Sequence, residues 1–310
     1  MKKPQIVIIQ GPTGVGKTDA ALALAKTFPL EIINADSMQV YRYLDIGTSK
    51  PTPAQQEIVP HHLLSIVNPD EDFSAAQFMA RARQAIADIT ARGLIPLVVG
   101  GTGLYIRALT RGLFTAPEKS EELRTALRHT AEQGGKESLY KLLQEQDPLS
   151  AQKINPHDVV RIIRALEVLY LTGAPISRHQ QAHAFDDTPY NVLKIGLMRD
   201  RSELYHRIEE RVERMIGEGL REEVQSVLAR GYTSSLKPLQ SIGYKQMAAF
   251  IEGHRSWEEA VREMKRDTKR FAKRQLTWFR HDPDIAWIML PDARDEAAIK
   301  MKNFLKPEIN

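Results

Sequence analysis

The run Gly11-Pro12-Thr13-Gly14-Val15-Gly16-Lys17-Thr18 constrains this chain more than any other feature. It follows a β-rich segment, Gln5 to Gln10, and precedes Asp19 to Lys26, whose alanines and leucines read as helix. Glycines in such a turn let successive backbone N–H groups converge on phosphate oxygens, and the positive end of the following helix adds to the attraction. Lys17 supplies a point charge and the Thr18 hydroxyl a ligand for Mg2+. A strand that delivers a phosphate loop into a helix N-terminus predicts an α/β fold of the P-loop NTPase type. Such a fold has a parallel sheet core with helices on both faces. The loop fits a di- or triphosphate, and its pattern does not choose between them.

Strand and helix patterns alternate through the next stretch. Glu31 to Ala35 is apolar and β-branched, and Ser74 to Arg92 spaces Phe78, Ala82, Ala85, Ile86 and Ile89 as one helical face with Gly93 as its stop. Ile95 to Val99 is a buried-strand pattern that runs into Gly100-Gly101-Thr102-Gly103. Between 114 and 189 the segments are all helical: Ser120 to Glu132, Lys136 to Gln146 and Val159 to Thr172, separated by Gly134-Gly135, Asp147-Pro148 and Asn155-Pro156. β character returns at Val192 to Met198. Helices follow near 202–217 and 219–230, then one long helix from Arg255 to Arg280 and a last strand from Ile285 to Leu290. The expected organisation is a catalytic core of residues 1–113 and 190–310 carrying an all-helical inserted subdomain at 114–189. In the long helix, Met264, Phe271 and Trp278 repeat every seven residues and are expected to face the core.

Composition narrows the function classes. The chain has no cysteine, which excludes disulfide scaffolds, thiolate zinc sites and cysteine nucleophiles. No apolar run approaches the ~20 residues of a membrane span, and Ile6 to Ile9 is too short for a signal-peptide core. A cytoplasmic enzyme with no membrane partner is the expectation. The net charge of +4 is unevenly placed: residues 262–280 hold 8 basic and 2 acidic side chains. A concentrated basic surface on a nearly neutral protein points to a polyanionic partner. Within that helix Lys265, Lys269 and Lys273 form one ridge, and Arg266, Arg270 and Arg274 the adjacent one. Both are candidates for nucleic-acid backbone contact, although a solvated helix face would look the same.

Asp36, at the end of the second strand, is the obvious carboxylate beside the loop, as a metal-sphere group or as a base. It sits in Asn34-Ala-Asp-Ser-Met-Gln-Val-Tyr-Arg-Tyr-Leu-Asp-Ile-Gly-Thr-Ser-Lys-Pro51. Together with the phosphate loop, Val98-Val-Gly-Gly-Thr-Gly-Leu-Tyr105, His61-His62-Leu63-Leu64, Asp158 to Glu167, Ile242-Gly243-Tyr244-Lys245 and Lys273 to Arg280, this block resembles the tRNA dimethylallyltransferases (isopentenyl-tRNA transferases) in their bacterial form. The resemblance covers about residues 4–280.

The resemblance implies an activity. A dimethylallyl group would move from dimethylallyl diphosphate to N6 of the adenosine just 3′ of the anticodon, in tRNAs reading codons that begin with U. The loop would then hold the diphosphate of an isoprenoid with Mg2+ as cofactor, in place of the ATP that a nucleotide-binding loop usually takes. Residue by residue, it implies Asp36 as general base and Thr13 as donor to the bridging oxygen. Gly11 to Thr18 would be the diphosphate site, helped by Arg207 or Arg211 without a choice between them. It assigns tRNA contact to Asp36, Ser37, Met38 and Gln39, to Thr102, to Arg124, and to Val160, Arg161, Ile162, Ile163 and Arg164. The stretch Gln240, Ser241, Ile242, Gly243, Tyr244 and Lys245 completes that set, with Tyr244 as a stacking face and Lys245 as a phosphate partner. The family further implies a monomer. Two other readings compete: a P-loop kinase for a small metabolite or nucleoside, and an RNA-binding switch driven by nucleotide hydrolysis. The first does not account for the helical insertion, and the second lacks a recognisable water-positioning residue.

Overall fold

Ile6, Val7, Ile8 and Ile9 leave the first strand no polar face, so it can only lie inside a sheet covered on both sides. The computed structural model describes residues 3–114, 116–185, 187–291 and 293–306. In it, the strands β1 (Gln5–Gln10), β2 (Leu30–Asn34), β3 (His61–His62), β4 (Ile95–Gly100), β5 (Asn191–Met198) and β6 (Ile285–Met289) form one six-stranded sheet. The order is β3-β2-β4-β1-β5-β6 and every pairing is parallel. β1 is central, with Val7 opposite Leu97 of β4 and Leu193 of β5. This is the α/β class that the phosphate loop predicts.

Helices from the first and last parts of the chain cover both faces of the sheet. α1 (Lys17–Ala25), α2 (Pro53–Ile58), α3 (Ala75–Ala91) and α4 (Gly103–Arg111) come from the first part of the chain. α5 (Glu121–Gly134), α6 (Lys136–Gln146), α7 (Pro148–Ala151), α8 (Val159–Thr172) and α9 (Ile176–His183) make up the middle. α10 (Arg201–Gly217), α11 (Leu220–Ala229), α12 (Tyr244–Ile251), α13 (Trp257–Phe279) and α14 (Ala293–Leu305) complete the set. Alternate strand residues feed two cores. Ile6, Ile8, Ile33 and Val98 pack with Phe78, Ile86 and Ile89 of α3, while Val7, Ile9, Ile32 and Leu97 pack with Ala21 and Leu24 of α1 and Met301 of α14. None of the described helices is long and apolar enough to cross a membrane.

The chain divides into two units, one reaching to Thr110 and resuming at Thr188, the other Arg111–Asp187. The second has no strand among its described residues and its own core of Leu127, Leu139, Leu143, Ile162, Ile163 and Leu166. An ion cluster ties it together. Glu167, 0% exposed, accepts from Arg124 Nε at 2.7 Å, from Ser120 N at 2.9 Å and from Arg164. α7, α9 and the two-residue β3 have no counterpart in the sequence reading, because segments this short carry too few residues to show a period.

α13 corrects an expectation. Met264 is buried, but Phe271 and Trp278 are 37% and 40% exposed. The buried stripe is Ala260, Met264, Thr268, Ala272, Gln275 and Phe279. A straight helix drifts about 20° per seven residues, so a strict heptad walks off the buried face where spacings of four and three stay on it.

Candidate active site

The loop after β1 is braced from several directions. Gly16, with φ at +103°, ends the loop in a left-handed conformation that a side chain would strain, and α1 begins at the next residue. Lys17 Nζ donates to Gly11 O at 3.0 Å and Pro12 O at 2.9 Å. Arg207 Nε donates to Gly14 O at 3.1 Å and Arg199 Nε to Val15 O at 3.0 Å. Thr13 N donates to Gln275 Oε1 at 2.8 Å. Loss of hydration pulls the Lys17 ammonium down to about 8, Asp36 works against that fall, and Arg211 adds to it. The same two influences act on Arg211, which burial lowers to about 10 and Asp36 supports. Lys17, Arg211 and Asp36 are therefore one electrostatic group at the carboxyl ends of β1 and β2.

Asp36 lies two residues beyond the end of β2. Its Oδ1 accepts from Met38 N at 2.8 Å and from Gln39 N at 3.4 Å. The segment is also tied to the turn after β4: Ser37 N donates to Thr102 Oγ1 at 3.0 Å, and Thr102 N to Ala35 O at 3.2 Å. The amide of Gln39, one of the residues expected to contact tRNA, donates to Thr48 O and Ser49 O, each at 3.1 Å. Arg211 Nη2 donates to the same Thr48 O at 3.3 Å.

That carbonyl belongs to the Asp45-Ile-Gly-Thr-Ser-Lys50 loop, which is held from α11. Glu223 Oε2 accepts from Asp45 N at 2.9 Å and Ile46 N at 2.7 Å, while Oε1 accepts from Gly47 N at 3.1 Å and from the Tyr244 hydroxyl at 2.5 Å. Lys50 Nζ closes the loop on Tyr41 O at 2.7 Å and Ser65 Oγ at 2.8 Å. Glu223→Ala leaves three N–H groups and a phenol without their acceptor, at a cost of about 1–3 kcal/mol. We expect a lower melting temperature in calorimetry and, through the displaced Arg211, a KM for a diphosphate ligand raised by about tenfold.

The structure redistributes several expected contacts. Tyr244 is 0% exposed and its hydroxyl is bonded to Glu223, so it offers no stacking face. Lys245 pairs with Asp267 at 3.3 Å, and Gln240 Nε2 donates to Ser234 O at 2.7 Å. Ser241 Oγ donates to Pro238 O at 2.6 Å, while Ile242 and Gly243 pack beside the core. Ile162 and Ile163 are buried; Val160 is 80% exposed. Arg124 and Arg164 serve Glu167, whereas Arg161 meets Asp158 at 3.3 Å and stays largely in solvent. On α13, Lys265 pairs with Glu213 at 2.5 Å and Lys269 with Glu209. The exposed basic ridge is thus Lys273 and Arg274 with Arg262, joined by Arg266 and Arg270, which share Asp267 at 3.1 and 3.9 Å and remain exposed. Sequence reasoning missed Arg199, Glu223 and Gln275. None of them stands in a phosphate-binding pattern, and each acts on backbone more than 170 positions away.

An anion cradle at the end of a central parallel strand, with a carboxylate just past the end of β2, the next strand but one, whose field reaches the cradle's lysine, defines a P-loop protein equipped for transfer chemistry on a diphosphate or triphosphate. Comparison with known proteins narrows that class. Family models match as IPP transferase over residues 39–282 and as Isopentenyl transferase over 4–65. The chain is 52% identical to tRNA dimethylallyltransferase 2 of Syntrophus aciditrophicus, over 99% of both chains, and 49% identical to the tRNA dimethylallyltransferase of Geobacter metallireducens, over 98% of both. Among solved structures it resembles the tRNA isopentenylpyrophosphate transferase of Bacillus halodurans at 40% identity and a TM-score of 0.72, covering 98% of this chain and 96% of that one. It also resembles a eukaryotic dimethylallyltransferase acting on tRNA at 28% identity and a TM-score of 0.82, covering 97% and 79%. This chain belongs to the tRNA dimethylallyltransferase family.

Proposed function

We propose that this protein transfers a dimethylallyl group from dimethylallyl diphosphate to N6 of A37, the adenosine 3′ of the anticodon, in tRNAs reading codons that begin with U. The observation that carries this reading is the coupling of Asp36 to Lys17 and Arg211 across two strand ends, within a chain of this family. Backbone N–H groups of Gly14 to Thr18 bind the diphosphate, and Lys17 and Arg211 neutralise the charge that grows as the allylic C–O bond breaks. Thr13 donates its hydroxyl to the bridging oxygen. N6 forms the new bond to the allylic carbon, and Asp36 accepts the proton that N6 gives up. Arg207 braces the loop through Gly14, so Arg211 is the arginine we assign to the diphosphate.

The donor set fits a weakly caged Mg2+. The described residues contain no group of three or more acidic or histidine side chains that could hold a metal. Thr18 would therefore contribute its hydroxyl and the diphosphate most of the other oxygens, as Mg2+ prefers. Bound there, the ion would add charge stabilisation to the leaving group.

The target base must leave its stack to reach the half-buried Asp36 carboxylate. Ser37, Met38, Gln39 and Thr102 would meet it, and Val160, Arg161 and Lys245 would contact the surrounding RNA together with the α13 ridge. Arg124 and Arg164 would act mainly by holding α5 and α8 together. Arg161→Ala should accordingly weaken tRNA binding severalfold and lower the slope of log K against log salt by about 1. Filter binding over a salt series measures it.

Incubation of the purified protein with unmodified tRNA, Mg2+ and labelled dimethylallyl diphosphate tests the function. Label in tRNA without ATP supports it. ATP turnover on a small acceptor with no label in tRNA overturns it.

A further inference from the structure

α13 turns one amide inward where its buried stripe passes the loops of the site. Gln275 is 7% exposed and spans two backbone groups: Oε1 accepts from Thr13 N at 2.8 Å, and Nε2 donates to Gly101 O at 2.9 Å. The fit is close: a Cβ at position 101 would stand 2.3 Å from Nε2, so the amide would have to move off Gly101 O to admit one. From Gly101 the connection runs on through the next residue. Thr102 Oγ1 accepts from Ser37 N at 3.0 Å and Thr102 N donates to Ala35 O at 3.2 Å, which brackets Asp36 between two anchored neighbours.

A carboxamide carries a donor and an acceptor at one end, and no other side chain of this length does. An apolar residue would bury the Thr13 N–H and the Gly101 carbonyl without partners. A glutamate would serve the first and fail the second.

We propose that Gln275 is a positioning residue that fixes the separation between the phosphate loop at Thr13 and the Asp36 segment, so that the departing diphosphate and the proton acceptor stay in register. The proposal rests on the prenyl-transfer reading above. Gln275 acts through Thr13 and through the Gly101–Thr102 turn. Its loss therefore lowers kcat more than it raises the KM for tRNA.

The test uses full-length Gln275→Ala and Gln275→Glu beside the parent protein, with steady-state transfer kinetics, melting temperatures and amide hydrogen exchange of peptides covering 11–18, 35–39 and 100–105. Gln275→Ala should speed exchange in all three peptides and lower kcat by about tenfold, with the KM for tRNA changed less than about threefold. Gln275→Glu retains the acceptor for Thr13, so exchange at 11–18 should stay near the parent value while 35–39 and 100–105 loosen. A packing role alone predicts no such difference between the variants and overturns the proposal, as does a loss confined to the KM for tRNA. Should Gln275→Ala fail to fold, Gln275→Glu carries the test, because it keeps the side chain's volume. If the parent protein transfers no prenyl group, the proposed function fails, while the exchange comparison still decides whether Gln275 links the two loops.

Discussion

Asp36→Asn is expected to lower prenyl transfer by about two to four orders of magnitude, the range a positioned general base contributes. Its affinity for tRNA should remain within about threefold of the parent protein, because the lost function operates in the transition state. Asparagine is the informative replacement. Asp36 Oδ1 holds Met38 N and Gln39 N, and an amide oxygen can still accept those bonds. Alanine would release the 36–39 segment together with the base and confuse the two effects. Single-turnover kinetics with labelled donor, run beside an equilibrium tRNA titration, separates them. Retention of more than about a tenth of the parent rate would remove Asp36 from the chemistry.

Glu167→Ala should destabilise the Arg111–Asp187 unit by about 3–5 kcal/mol, since it leaves Arg124, Arg164 and Ser120 N without their shared acceptor. The same cluster gives this unit an acid limit. Burial alone would raise the Glu167 carboxyl; the bonds from Arg124, Arg164 and Ser120 more than reverse that and hold it at about 2. The folded value lies below the ordinary 4.5, so the stabilisation is complete above about pH 4.5 and disappears as the pH falls towards 2. Hydrogen exchange of 120–170 in the whole protein reads both effects. All three tryptophans, Trp257, Trp278 and Trp287, lie in the other unit and would report little of this change. If protection factors in 120–170, corrected for the intrinsic pH dependence of amide exchange, were equal at pH 6 and pH 3, the cluster would have no role in stability.

The parts of the fold written in local patterns were readable before the structure. The phosphate loop needs only eight consecutive residues and a strand before them, and α6 and α8 begin and end where their punctuation predicts. The site is less local. Asp36 could be picked out because it closely follows the second strand of a chain whose first strand delivers the phosphate loop. Glu223 serves backbone 176 to 178 positions away, and Gln275 accepts from a residue 262 positions away. Nothing in the neighbourhood of either residue announces that partner. Tyr244 shows the opposite failure: an aromatic next to a lysine reads as a stacking surface, and only the packing of α11 against α12 shows the ring inside. Charge patterns misled in a similar way. Lys265 and Lys269 stand on a basic ridge in the sequence, and α10 supplies the acids that neutralise them.

The two main-chain bonds to a single Asp36 oxygen have a stereochemical consequence. A carboxylate clamped on one side cannot spin about its Cβ–Cγ axis, so its second oxygen has a fixed lone-pair direction before any nucleobase arrives. The purine must then adapt its tilt to the enzyme, and an amino group presented at another angle finds no acceptor. Regiochemistry on the adenine ring would in this way be decided by the orientation of one static oxygen, without the enzyme having to recognise every edge of the base.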